Sequence, residues 1–165
     1  MPRLATLPAD SEALLAAISN GIEAAYGDGF EMPGRQYLNP GTLIAWDEPQ
    51  LTIAVIRIAP GQPGQQDAQS ILPSMLNWSV TWGLLWLFEI PALTDSGTPE
   101  TATLDAAGQS YVDYMTTMFS VAVAQRINGL LTPALAGNVS IGPITSVGPE
   151  GAMSGIALQI EASLL

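Results

Sequence analysis

"LNWSVTWGLLWLFEIPAL", residues 76–93, decides the fold, because three tryptophans (Trp78, Trp82, Trp86) recur at every fourth position in a nearly uncharged run. The uncharged part, 76–88, is thirteen residues long, short of the roughly 20 that a membrane-spanning helix needs. At a period of two, Trp78, Val80, Trp82, Leu84, Trp86, Phe88 and Ile90 share one side, and all seven are apolar. The other side reads Asn77, Ser79, Thr81, Gly83, Leu85, Leu87, Glu89. Unbroken alternation, β-branched residues and an internal glycine predict a strand. A platform for stacked sugars or bases needs polar groups beside its rings. The tryptophan side has none, so Trp78, Trp82, Trp86 and Phe88 are assigned to the core. The second side turns apolar at Leu85 and Leu87, which makes that pair a candidate oligomer interface.

Downstream, residues 95–131 read as a turn at 96–99 followed by a long helix. It is capped by Thr101 or Thr103 and runs to about Asn128. Leu104, Tyr111, Met115, Met118 and Ala122 form one stripe, flanked by Val112, Phe119 and Val123, and this wide apolar face should lie across the sheet. Met115 and Phe119 are expected in the core. The tail, 138–165, reads as two strands around "GPEG", with Ile156, Leu158, Ile160, Ala162 and Leu164 alternating against Ala157, Gln159, Glu161 and Ser163.

Upstream, 10–26 predicts a helix capped by Asp10 or Ser11, with Leu14, Leu15, Ile18, Ile22 and Ala25 on its buried face. "GDG" at 27–29 ends it, and 27–41 reads as a loop. "TLIAWDEPQLTIAVIRI", 42–58, predicts a hairpin about "DEPQ", its second run interior to the sheet. Residues 59–74, rich in Gly, Pro and Gln, form an exposed loop. Its Gln62, Gln65, Gln66, Ile71 and Leu72, with Met75 just beyond, are candidate partner contacts. The expected architecture is a single α+β domain over 1–165. An antiparallel-rich sheet packs against an N-terminal helix and the long helix that precedes the C-terminal hairpin.

Composition narrows the function. Fifteen acids face four arginines, with no lysine, histidine or cysteine, for a net charge of −11. Such a surface repels nucleic acid and anionic lipid. It lacks the usual general base, Schiff-base lysine, thiol nucleophile and cysteine or histidine metal ligands. "MPRLATLPADSE" lacks the apolar stretch of a signal peptide. Asp47 and Glu48 belong to a turn; Asp105 and Asp113 are eight apart on one helix, too far to share a proton. Asp28 and Glu31 lack the alternating ligands of a calcium loop. "NVS" at 138–140 is a formal sequon without a secretory signal, and "GPEGAMSG" is a turn, not a phosphate cradle. No catalytic, cofactor or metal residue is nominated, and the chain is expected not to be an enzyme.

The long amphipathic helix, a short return and then "ITSVGPEGAMSGIALQIEASL" (144–164) resemble the end of tail-terminator proteins of long-tailed bacterial viruses. The element order matches along most of the chain. Head-to-tail connector proteins of the same viruses look similar. The resemblance implies a structural virion protein assembled in the host cytoplasm. It would form a ring, typically a homohexamer, that caps the tail tube and joins it to the head-completion complex. Its partners would be further copies of itself, the tail-tube protein and a head-completion or connector protein. DNA would pass through the channel unbound, and an acidic wall suits that passage. Leu85 and Leu87 would then face a neighbouring subunit, and the 59–74 loop a neighbour or the tube. Competing readings are a connector or stopper nearer the portal, and a small-ligand binding module, which would need a polar-lined pocket among the tryptophans.

Overall fold

The computed structural model describes residues 7–38, 48–60, 78–89, 112–124, 139–150 and 153–164. Helix α1 (Leu7–Tyr26) is followed by strands β1 (Arg35–Leu38), β2 (Gln50–Pro60) and β3 (Trp78–Glu89). Helix α2 (112–124), β4 (Val139–Glu150) and β5 (Met153–Leu164) complete the described fold. The five strands form one sheet in the order β1-β2-β3-β5-β4, with every pairing antiparallel except β1 with β2. The expected α+β class is what the chain adopts.

Within the 76–93 stretch, Trp78–Glu89 is the strand its alternation predicts, and it lies at the centre of the sheet. Trp82, Leu84 and Trp86 are opposite Ile160, Leu158 and Ile156 on β5, and opposite Val55, Ile53 and Leu51 on β2. All nine are buried in one cluster with Leu14, Leu15, Ile18 and Ile22 of α1 and Met118, Val121 and Ala122 of α2. The helices therefore cover the tryptophan face, giving a two-layer sandwich.

Several expectations need correcting. Helix α1 begins at Leu7, a turn earlier than predicted, since Pro8 tolerates the first turn, where no intrahelical N–H bond is needed. Ser11 is therefore not a cap: it is buried inside the helix, its hydroxyl donating to Leu7 O at 2.7 Å. Ala25 is exposed, because the buried stripe ends at Ile22. The loop expected over 27–41 contains β1, which runs parallel to β2 with Arg35 opposite Leu51 and Leu38 opposite Ala54. Lastly, Phe119, expected in the core, is 41% exposed. One step along a helix rotates a side chain by about 100°, so with Met118 fully buried Phe119 faces outward, and Tyr114 and Val121 flank the buried stripe instead. Met115 and Phe88 pack partly buried against the core. The 42–47 arm of the expected hairpin, the 59–74 loop beyond Pro60, Trp78's side chain, Leu104, Tyr111 and the two ends of the long helix lie outside what is described.

The C-terminal hairpin forms as expected. The "GPEG" segment is not its turn, however: β4 continues to Glu150, which pairs with Met153, and Gly148, with a φ of 86°, falls at a register slip inside the strand. Strand β4 slips register twice against β5, between Ile141 and Ile144 and between Val147 and Glu150. Strand β2 has one bulge, between Val55 and Arg57, which leaves Ile56 48% exposed.

Candidate functional site

The candidate interface pair lies on the sheet face away from the helices, and its members part company there. Leu87 is 0% exposed within the single chain. It is opposite Gly155 on β5, and a methyl group added to that glycine would come within 2.7 Å of Leu87 Cδ2 and 3.3 Å of Trp86 O. Glycine at 155 is thus the space that Leu87 fills, and Leu87 is core, closed to any partner. Leu85 remains half-buried beside Ala157, Gly83 and Ala54, which are also half-buried. Ile56 lies over Gly83, its Cγ2 3.2 Å from where a Cβ would stand. A small apolar strip therefore survives around Leu85. Gln62, Gln65, Gln66, Ile71, Leu72 and Met75 lie outside the described residues.

A second feature escaped the sequence reading. Phe30 stacks on Tyr26 at 4.5 Å and meets Trp86 edge-on at 6.3 Å. Tyr114 of α2 stacks on Trp86 at 4.6 Å and meets Phe88 at 5.1 Å. The rings come from α1, the loop after it, α2 and β3, so the cluster ties both helices to the Glu89 end of β3. Local chemistry positions it. Gly27 N–H donates to Glu23 O, closing α1 in the left-handed conformation (φ 84°) that favours glycine. Met32 N–H then donates to Glu23 Oε1 at 3.0 Å, folding the loop back and bringing Phe30 inward.

Tyr26 Oη donates to Asp113 Oδ2 at 2.8 Å and also contacts Thr117 Oγ1 at 3.2 Å. Burial pushes the phenol up to about 12; the Thr117 hydroxyl acts against this, and the Asp113 carboxylate adds to it. The phenol is therefore neutral at physiological pH and serves as a tie between helices. A sequence signal existed, since Tyr26 ends α1 and Tyr114 lies one turn before Met118, but neither falls on a predicted stripe.

The remaining acids are dispersed. Asp28, Glu31, Glu48 and Asp113 are exposed, and Asp47 and Asp105 lie outside the described residues. Among the described residues no three acids gather as a metal-binding group would, and no helix is long and apolar enough to cross a membrane. The sequence matches no protein-family model and no curated protein.

Proposed function

We propose that the protein is a ring-forming structural subunit of a long-tailed bacterial virus: a tail terminator that caps the tail tube and receives the head-completion complex. The observation that carries this reading is the sheet itself. Among the described residues its two margin strands, β1 and β4, have no outer neighbour, and the sheet is joined to a helix–strands–helix–hairpin order like that of the resembled family. A sheet open at both sides can add further subunits edge to edge, and a net charge of −11 suits a wall past which DNA slides. The half-buried strip at Leu85 offers a further contact of the apolar kind found inside oligomer interfaces. A connector nearer the portal would share all of these properties and differ in its position in the particle.

Sedimentation and negative-stain electron microscopy of the purified protein, alone and with isolated tail tubes, test the proposal. A discrete ring, or a monomer that assembles only on tube ends, is expected. A monomer that ignores tube ends, or one that turns over a small substrate, overturns it.

A further inference from the structure

The short edge strand β1 and a four-residue run of the opposite edge strand β4 are matched in polarity and face. Along β4, Ser140, Pro143, Thr145, Ser146 and Glu150 are exposed, and among the described residues only Val139 of this strand is buried and no strand lies beyond it. Residues 139–149 carry no charge in a chain of net charge −11, which makes this the margin where copies repel least. Proline at 143 and the two register slips blunt most of the strand. Between them Ile144, Thr145, Ser146 and Val147 keep unbroken register with β5. The opposite edge, β1, is also four residues long, and among the described residues it has no outer neighbour.

Polarity follows from the pairings. Strand β1 is parallel to β2, and three antiparallel steps then lead to β4, so β4 runs antiparallel to β1. A second copy in the same orientation would therefore bring its β1 to this β4 in an antiparallel ladder. Face continuity narrows the register. Tyr37 shares the core face with Ile53, and Ile144 shares it with Leu158, whereas Gln36 and Thr145 lie on the other face beside Thr52 and Ala157. Keeping faces matched opposes Gln36 to Thr145 and Tyr37 to Ile144. Tyr37 and Ile144 are both half-buried at the two margins of one core, so opposing them extends the core across the joint. The same polarity brings the Arg35 end of β1 toward the Glu150 end of β4.

We propose, on the footing of the ring reading, that successive copies join by adding β1 of one to β4 of the next, making one sheet continuous around the assembly. The absence of cysteine from the sequence permits a clean test with Gln36→Cys and Thr145→Cys. Directly opposed residues in such a ladder have Cα atoms about 4.5–5.5 Å apart, within disulfide reach. Inside one copy the two edges are four strand spacings apart, about 19 Å, which is far beyond it. Oxidation of the mixed single variants should give a 36–145 cross-linked dimer, and the double variant a ladder of multimers. Asn20→Cys, exposed on α1, should not cross-link to Thr145→Cys. Dimers of Thr145→Cys alone would mean a two-fold β4–β4 joint and overturn the proposal. Assembly by sedimentation without cross-links, at Thr145→Cys or at the two-residue shift Val147→Cys, would overturn the edge joint and leave the ring standing. A protein that stays monomeric even with tail tubes would sink the ring reading and the joint with it.

Discussion

Replacing Ser11 by alanine isolates the contact on which the seating of α1 over the sheet depends. Trp82 Nε1 donates to Ser11 Oγ at 2.8 Å, and that hydroxyl in turn donates to Leu7 O at 2.7 Å. Ser11 is 0% exposed and Trp82 1% exposed, so water cannot replace either partner. Ser11→Ala leaves the indole N–H buried without an acceptor, which costs about 1–3 kcal/mol. Alanine's better helix propensity returns about 0.5 kcal/mol, for a net loss of about 0.5–2.5 kcal/mol. With a urea dependence of about 2 kcal/mol per M, the unfolding midpoint should fall by about 0.25–1.25 M. Far-ultraviolet circular dichroism is the suitable probe, because it survives the control variant Trp82→Phe. In that background no indole donor remains, and Ser11→Ala should cost almost nothing. Equal losses in the two backgrounds, or a neutral Ser11→Ala in the parent chain, would mean that the indole N–H has another partner and that this bond does not seat the helix.

Three further outcomes follow from the same geometry. Gly155→Ala places a methyl group 2.7 Å from Leu87 Cδ2 and should destabilise by about 1–3 kcal/mol; combined with Leu87→Ala, itself costly, it should lose less in urea titrations than the sum of the two single changes. Leu87→Asp buries a charge and should unfold the chain by circular dichroism, whereas Leu85→Asp should leave the fold intact and weaken assembly in sedimentation. Tyr26 has its folded value raised to about 12 from 10.0, so its contribution is whole below pH 10 and is lost as pH rises from 10 through 12. Two units correspond to about 2.7 kcal/mol, and solvent around the partly exposed phenol reduces this to about 1 kcal/mol. Unfolding titrations of the parent chain should show that decline, and those of Tyr26→Phe should not.

Much of this fold is legible locally because burial imposes a period. The alternation from Val80 to Phe88 identifies β3 and its buried side, and Leu14, Leu15, Ile18 and Ile22 identify the face of α1. Alternation reports which side a residue takes but not what covers that side, so Leu85 and Leu87 look alike in sequence and differ in the fold. Four residues of β1 are too few to show a period, and the parallel pairing of Arg35 with Leu51 has no turn signal to announce it. Phe119 differs from Met118 by one position, which on a helix decides between surface and core. The Ser11–Trp82 bond joins residues 71 positions apart, and nothing in either neighbourhood encodes it.

That bond has a counterpart at the other end of the same helix. Apolar stripes hold a helix on a sheet but leave its rotation and slide loosely specified, since dispersion is non-directional. Helix α1 is fixed at both ends by directional bonds: Ser11 in its second turn to the centre of the sheet, and Tyr26 in its last turn to Asp113 and Thr117 of α2. The chain leaving α1 is held as well, through Glu23 to Met32 and through Gly34 O, which accepts from Leu51 N–H at 3.1 Å. The residue after Gly34 is the first of β1. A strand of four residues has little pairing of its own to keep it in place, so its position at the margin depends on this sequence of ties from the core. In the proposed joint, an edge held in this way would meet the incoming strand already ordered, which reduces the ordering cost that normally opposes association. Loosening Ser11 or Tyr26 should for that reason weaken assembly as well as folding.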